Sequence, residues 1–249
     1  MSNRLAFPKD KQGFLLLSYP RSGSHFLRSL LNEHPDIKCH GEIFNRELYP
    51  EPGHVEQRLI QYWKGPLTGM IAHAYIGWRG ERDCVWRAKS GFAGLFPTLP
   101  LDTKIVCIQR WNLFRRHVSH LLAQASNEWT VMTGSDNAEA RAEAARTQTI
   151  RVDVVKLRLD VDVTRAILAT LGLQFVNTHL VTYEQLRANT EEHIRRIYEH
   201  LGADPDACKH VKAKTMVLNA DRPIREIVTN YGKVKKHFAG TDLACYFDE

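Results

Sequence analysis

The sequence predicts a single α/β domain spanning residues 1–249, with a central parallel sheet flanked by helices. Three observations predict it. Apolar runs within Phe14–Tyr19 and Lys104–Ile108 have the pattern of strands buried on both faces. Each run passes almost at once into apolar residues at helical spacing. Strands and helices then keep alternating towards the C-terminus, which is the signature of crossover units.

The first strand ends at Pro20, and Phe26, Leu27, Leu30 and Leu31 lay out a helix over Ser24–Glu33. Cys84–Ala88 is a further strand candidate. The second unit begins at Lys104–Ile108 and continues into a helix carried by Leu113, Phe114, Val118, Leu121 and Leu122. Ser126–Ala145 is small, polar and rich in Ala and Glu, and is expected to be a mobile excursion holding a short helix. Val154–Leu171 has helical periodicity closed by Gly172, Thr178–Thr182 is strand-like, and Thr190–Leu201 is an amphipathic helix stopped by Gly202.

At 249 residues, 43% of them hydrophobic and 25% charged, the chain can bury a sizeable core. The net charge of +6 is scattered rather than gathered into a tail, which favours a small anionic ligand over a nucleic acid. Five widely spaced cysteines without a CxxC pair, and no apolar segment long enough for a signal or a membrane span, imply a reduced, cytoplasmic protein. There is no HxxxH, no CxxC and no close acidic triplet, so a metal-independent chemistry is expected.

The sharpest local feature is Tyr19-Pro20-Arg21-Ser22-Gly23-Ser24-His25. A buried strand turning abruptly into a helix presents unpaired N–H groups and the positive end of the helix dipole above the sheet edge. Gly23 lets a ligand approach the backbone, Ser22 and Ser24 supply hydroxyls, and Arg21 supplies a forked cation suited to phosphate or sulfate oxygens. The same four residues, Pro-Arg-Ser-Gly, also suit a plain turn between strand and helix. No Gly-Lys-Ser/Thr ending follows, which disfavours a nucleoside-triphosphate hydrolase.

This strand, loop and helix resemble the 5′-phosphosulfate-binding loop of sulfotransferases that use 3′-phosphoadenosine 5′-phosphosulfate (PAPS). The continuation Leu31-Asn32-Glu33-His34-Pro35-Asp36, then Gly41-Glu42-Ile43-Phe44-Asn45, is similar to the bacterial carbohydrate branch, the nodulation-factor sulfotransferases in particular. The second unit resembles the family's 3′-phosphate site, with Arg110 and Ser119 in the places of its arginine and serine. Here Trp111 stands where the usual spacing puts the arginine. Val181-Thr182-Tyr183-Glu184-Gln185-Leu186 resembles the family turn whose tyrosine borders the adenine, and Arg222-Pro223-Ile224 resembles the branch's C-terminal segment, which adds Arg222 to the donor-binding candidates. Phe26 falls where an aromatic side chain can stack on adenine, or serve as core.

The resemblance implies transfer of a sulfuryl group from PAPS to an acceptor hydroxyl, leaving 3′-phosphoadenosine 5′-phosphate (PAP). Such a transfer needs a base at the acceptor proton and positive charge on the departing phosphate. Glu42 is the first candidate for base, with His40 and His73 as alternatives, and Lys89 and Arg21 are candidates to stabilise the leaving group. A histidine just after the strand lysine, used by the animal enzymes, is missing near Gly91. The branch implies a sugar or glycolipid hydroxyl as acceptor, and a lipid or secondary-metabolite hydroxyl is the alternative. A nucleotide-dependent phosphotransferase and a PAP-binding module without catalysis remain as rivals from other classes.

Overall fold

Five strands lie parallel in one sheet, in the order Ile37–His40, Leu67–His73, Gln12–Ser18, Lys104–Gln109 and Thr178–Thr182. The computed structural model describes residues 12–42, 67–73, 77–78, 84–85, 103–131, 133–174, 176–207, 211–214, 219 and 221–247. The central strand is β1 (Gln12–Ser18), flanked by β3 (Leu67–His73) and β6 (Lys104–Gln109). Beyond them lie β2 (Ile37–His40) and, at the other edge, β7 (Thr178–Thr182). A separate antiparallel ribbon pairs β4 (Gly77–Trp78) with β5 (Cys84–Val85). The strand expected at Cys84–Ala88 thus begins where the sequence places it but pairs outside the main sheet, and its remainder lies outside the described residues.

The helices, in chain order, are α1 (Ser24–Leu31), α2 (Leu113–Ser126), α3 (Ala138–Thr147), α4 (Val154–Gln174), α5 (Tyr183–Ala188), α6 (Thr190–Leu201), α7 (Ile224–Ile227) and α8 (Tyr231–Phe238). A 3₁₀ turn at Ala244–Phe247 follows. Gly202, with φ 76°, caps α6 as its left-handed conformation allows. Gly172 does not end α4, which runs on to Gln174. A helix-interior glycine costs only about 1 kcal/mol, too little to end a helix by itself. The segment expected to be an excursion contains α3, and the Arg141 guanidinium pairs with the Glu128 carboxylate ahead of it.

The chain gathers into two compact units, one formed by residues up to Gln109 with Ile167–Ala213, the other by Arg110–Ala166 with Lys214–Glu249. The sheet belongs to the first. On one of its faces Phe14, Leu16, Val106, Ile108 and Val181 pack with Leu27, Leu30 and Leu31 of α1 and Ile194, Ile197, Tyr198 and Leu201 of α6. The alternate residues Leu15, Leu17, Ile105 and Cys107 are buried as well. That explains why these strands read as continuous apolar runs rather than alternating ones. Phe14 lies over Gly69, its register partner on β3, where a Cβ would stand 2.2 Å from the ring. Only glycine fits beneath that ring.

In the second unit, Leu113, Phe114 and Val118 of α2 pack with Leu157 and Val161 of α4 and with Ile224, Val234, Phe238 and Phe247. Asn230 ties the unit's two stretches together, its side-chain amide accepting from the N–H and donating to the C=O of Val152. Arg116 and His117 of α2 both bond the Asp160 carboxylate of α4. Burial pushes that carboxyl up, but the His117 hydrogen bond and the nearby charges of Arg116, His117 and His120 outweigh it and hold Asp160 below the usual carboxylate range.

Candidate functional site

The loop leaving β1 carries positive φ at two of three successive residues, Arg21 (68°) and Gly23 (94°), while Ser22 between them has none. Alternation of this kind turns successive N–H groups towards one concavity, the geometry of an anion nest. The Ser22 N–H closes the turn on the Tyr19 carbonyl at 3.2 Å. A left-handed arginine is uncommon and costs free energy, and such conformations concentrate at functional loops.

Gly23 is also the N-cap of α1 and supplies no capping side chain. The first helical hydrogen bond runs from Leu27 N–H to the Gly23 carbonyl at 3.0 Å. The N–H groups of Ser24, His25 and Phe26 stand ahead of it, in the first turn of the helix. Ser22 and Ser24 are buried, and Arg21 is half-buried. The nest and the helix start together suit a phosphate or sulfate group.

Tyr183 closes one side of this loop. Its ring lies against Gly23, where a Cβ would sit 2.5 Å from the ring carbon Cδ2. Phe26 meets the same ring edge-on, with centroids 5.7 Å apart, and Arg187 lies 6.0 Å from its centre. A capping box holds the tyrosine in place: Thr182 Oγ1 accepts from the Gln185 N–H at 3.1 Å, and Gln185 Oε1 accepts from the Thr182 N–H at 3.0 Å. Phe26 packs partly on the core beneath.

Glu42 follows β2 by two residues and comes back to α1. Its Oε1 lies 3.2 Å from His25 Nε2. The backbone that delivers it is clamped to the helix, because the Asn32 side chain accepts from the Cys39 N–H at 2.7 Å and donates to the Cys39 carbonyl at 2.9 Å. Arg28 Nε donates to that same carbonyl at 3.2 Å. Burial pushes the Cys39 thiol up to about 12, with the Arg28 charge pulling the other way, so the sulfur stays protonated and unreactive. This grouping of His25, Arg28 and Asn32 was not expected from the sequence. The available signal was their spacing of three and four along one face of α1.

Other candidates are distributed as follows. His40 is half-buried at the end of β2, and His73 ends β3 opposite Ser18 in the strand register. Arg110 directly follows β6, and Ser119 lies on α2; both are half-buried. Trp111, in the place where an arginine is usual, is 68% exposed. Arg222 spends both of its terminal nitrogens on backbone: Nη1 donates to the carbonyls of Arg146 and Gln148, and Nη2 donates to that of Glu226. Lys89 lies outside the described residues. Among the described residues there is no group of three or more His, Cys, Asp or Glu placed to hold a metal ion, and no helix is long and apolar enough to cross a membrane.

No family model matches the chain. Over 95% of its length, and 95% of the relative's, it is 22% identical to nodulation protein H of Rhizobium meliloti strain 1021. A stretch covering 13% of it is 50% identical to nodulation protein H of Rhizobium tropici. The fold matches the crystal structure of a sulfotransferase from Alicyclobacillus acidocaldarius with a TM-score of 0.56, at 16% identity and covering 96% of this chain and 94% of that one. The architecture is the sulfotransferase fold.

Proposed function

We infer that this chain belongs to the PAPS-dependent sulfotransferase family, in its nodulation-factor-like branch, and moves a sulfuryl group from PAPS to a carbohydrate hydroxyl. The observation that carries the reading is the pairing, at the start of one helix, of an anion nest at Arg21–Gly23 with a carboxylate, Glu42, bonded to His25. Sequence relatedness over nearly the whole chain to a nodulation protein supports it, as does the shared fold.

In the proposed reaction the loop N–H groups, Arg21, Ser22 and Ser24 hold the 5′-phosphosulfate, and Phe26 and Tyr183 border the adenine. Arg110 and Ser119 take the 3′-phosphate. Glu42 accepts the proton of the acceptor hydroxyl as its oxygen attacks sulfur in line. The bond from sulfur to the bridging oxygen breaks, PAP leaves with the electron pair, and Arg21 and Lys89 offset the charge that develops on it. His40 and His73 are the alternative bases. Arg222, whose guanidinium donates to the carbonyls of Arg146, Gln148 and Glu226, is proposed as a further donor-binding residue. No metal enters the scheme. We place the enzyme in the cytoplasm as one sulfotransferase domain.

Two measurements test the reading. Titration calorimetry with PAP against AMP is expected to show PAP binding at least about tenfold more tightly, as a charge-assisted bond to the 3′-phosphate of about 1.5–3 kcal/mol requires. Equal affinity would remove Arg110 and Ser119 from the donor site. Incubation with ³⁵S-labelled PAPS and a panel of free oligosaccharides is expected to label a sugar, and label confined to lipid or small aromatic acceptors would overturn the carbohydrate assignment.

A further inference from the structure

We propose that the His25 side chain is a positioning residue that holds the Glu42 carboxylate in the orientation needed to take the acceptor proton. The proposal rests on the reading of Glu42 as the base. A carboxylate can only accept a hydrogen bond, so at the 3.2 Å contact His25 Nε2 is the donor and carries a proton.

Three side chains on one stripe of α1 and its C-cap, His25, Arg28 and Asn32, reach the same short piece of chain, from Cys39 in β2 to Glu42 just after it. Asn32 and Arg28 fix the backbone at Cys39, and Gly41 lies close enough to Arg28 that a Cβ there would be 3.5 Å from Nη1. Those contacts locate the start of the Glu42 side chain, and the bond from His25 acts on its carboxylate end.

The backbone N–H of the same histidine belongs to the first turn of α1, among the groups offered to the donor phosphate. One residue therefore serves donor and base from a single rigid element, and a catalytic pair is held most accurately when both parts are fixed to one helix. During transfer the hydroxyl proton passes to Glu42, the new oxygen–sulfur bond forms as the bond to the 5′-phosphate breaks, and His25 keeps its own proton throughout.

The test is single-turnover release of PAP from PAPS with excess enzyme and water as the acceptor, alongside PAP calorimetry. In His25→Leu the rate is expected to fall about tenfold to a hundredfold, a share of the 10²–10⁴ that a positioned base contributes. PAP affinity should stay within about threefold, because the phosphate is bound by backbone N–H. His25→Gln, which keeps an N–H near the Nε2 position, is expected to recover most of the rate. Adding His25→Leu to Glu42→Gln should cost nothing further, since the two act as a unit. In the wild-type protein, ¹⁵N NMR should show Nε2 of His25 protonated and its shift altered by Glu42→Gln, a readout that survives a poorly folding variant. A wild-type rate in His25→Leu, or equal losses of rate and PAP affinity in both His25 variants, would overturn the positioning role. A wild-type protein that does not bind PAP would instead sink the sulfotransferase reading itself.

Discussion

Gly23 is under two independent demands, and they make it the least replaceable residue of the loop. Its φ of 94° excludes ordinary side chains, and the Tyr183 ring fills the space a Cβ would need. Gly23→Ala is expected to add about 1–2 kcal/mol of backbone cost to about 1–3 kcal/mol of overpacking. PAP affinity measured by calorimetry should fall at least tenfold, and Tyr183→Ala in the same chain should return part of it by removing the clash. Full affinity in the single variant would show that the loop does not hold the donor. The importance of Gly23 was legible in the motif, but the reason was only half legible. A turn glycine announces itself by its neighbours, whereas the ring that presses on it arrives from a residue 160 positions later. The contact of His25 with Glu42 was hidden for a related reason. It depends on the direction in which the chain leaves β2, which no spacing rule gives.

At the scale of elements, strands and helices buried by continuous apolar runs were the easiest to place. Thr178–Thr182 and Thr190–Leu201 have the limits expected of them, because a capping box and a terminal glycine mark their junctions in local chemistry. Gly172 misled, because one glycine costs a helix only about 1 kcal/mol and does not by itself end it. Gly69 passed unnoticed within a strand, although β1 and β3 pair only if a small residue underlies Phe14. Gly69→Ala is expected to destabilise the protein by about 1–3 kcal/mol in urea unfolding, with Phe14→Leu recovering part of that loss. An unchanged midpoint would mean that the ring can swing aside at no cost.

The molecule as a whole carries a pH dependence that follows from one pair of histidines. His179 on β7 and His200 on α6 have ring centres 5.6 Å apart, and His200 Nε2 lies 3.1 Å from the Ile105 carbonyl. Burial, followed by like charge, holds both below the ordinary imidazole value: His193 and Arg196 act on His179, and His179 and Lys104 act on His200. Because the unfolded chain then binds protons more readily than the folded one, the contribution of this pair is complete above about pH 6.5 and is lost as the pH falls below it. The urea midpoint should drop between pH 7.5 and pH 5.5, and the drop should shrink in the His179→Gln, His200→Gln double variant. An identical drop in that variant would assign the acid sensitivity to other groups.

Assembly of the chain into two units, each made of two separated stretches, had no sequence signal, because nothing local marks which distant segments will share a core. By itself, the sequence determined the α/β class and the parallel sheet, and it offered the anion-loop motif and the carboxylate candidate. Each of these is written in local terms: an apolar run, a glycine between small hydroxyl residues, a Gly-Glu pair. The tertiary structure alone decided that Tyr183 would press on Gly23, that Asn32 and Arg28 would clamp Cys39, and that Glu42 would return to His25. The physical reason is that these contacts join segments distant in sequence, whose meeting depends on strand order and chain direction rather than on any residue's own preference.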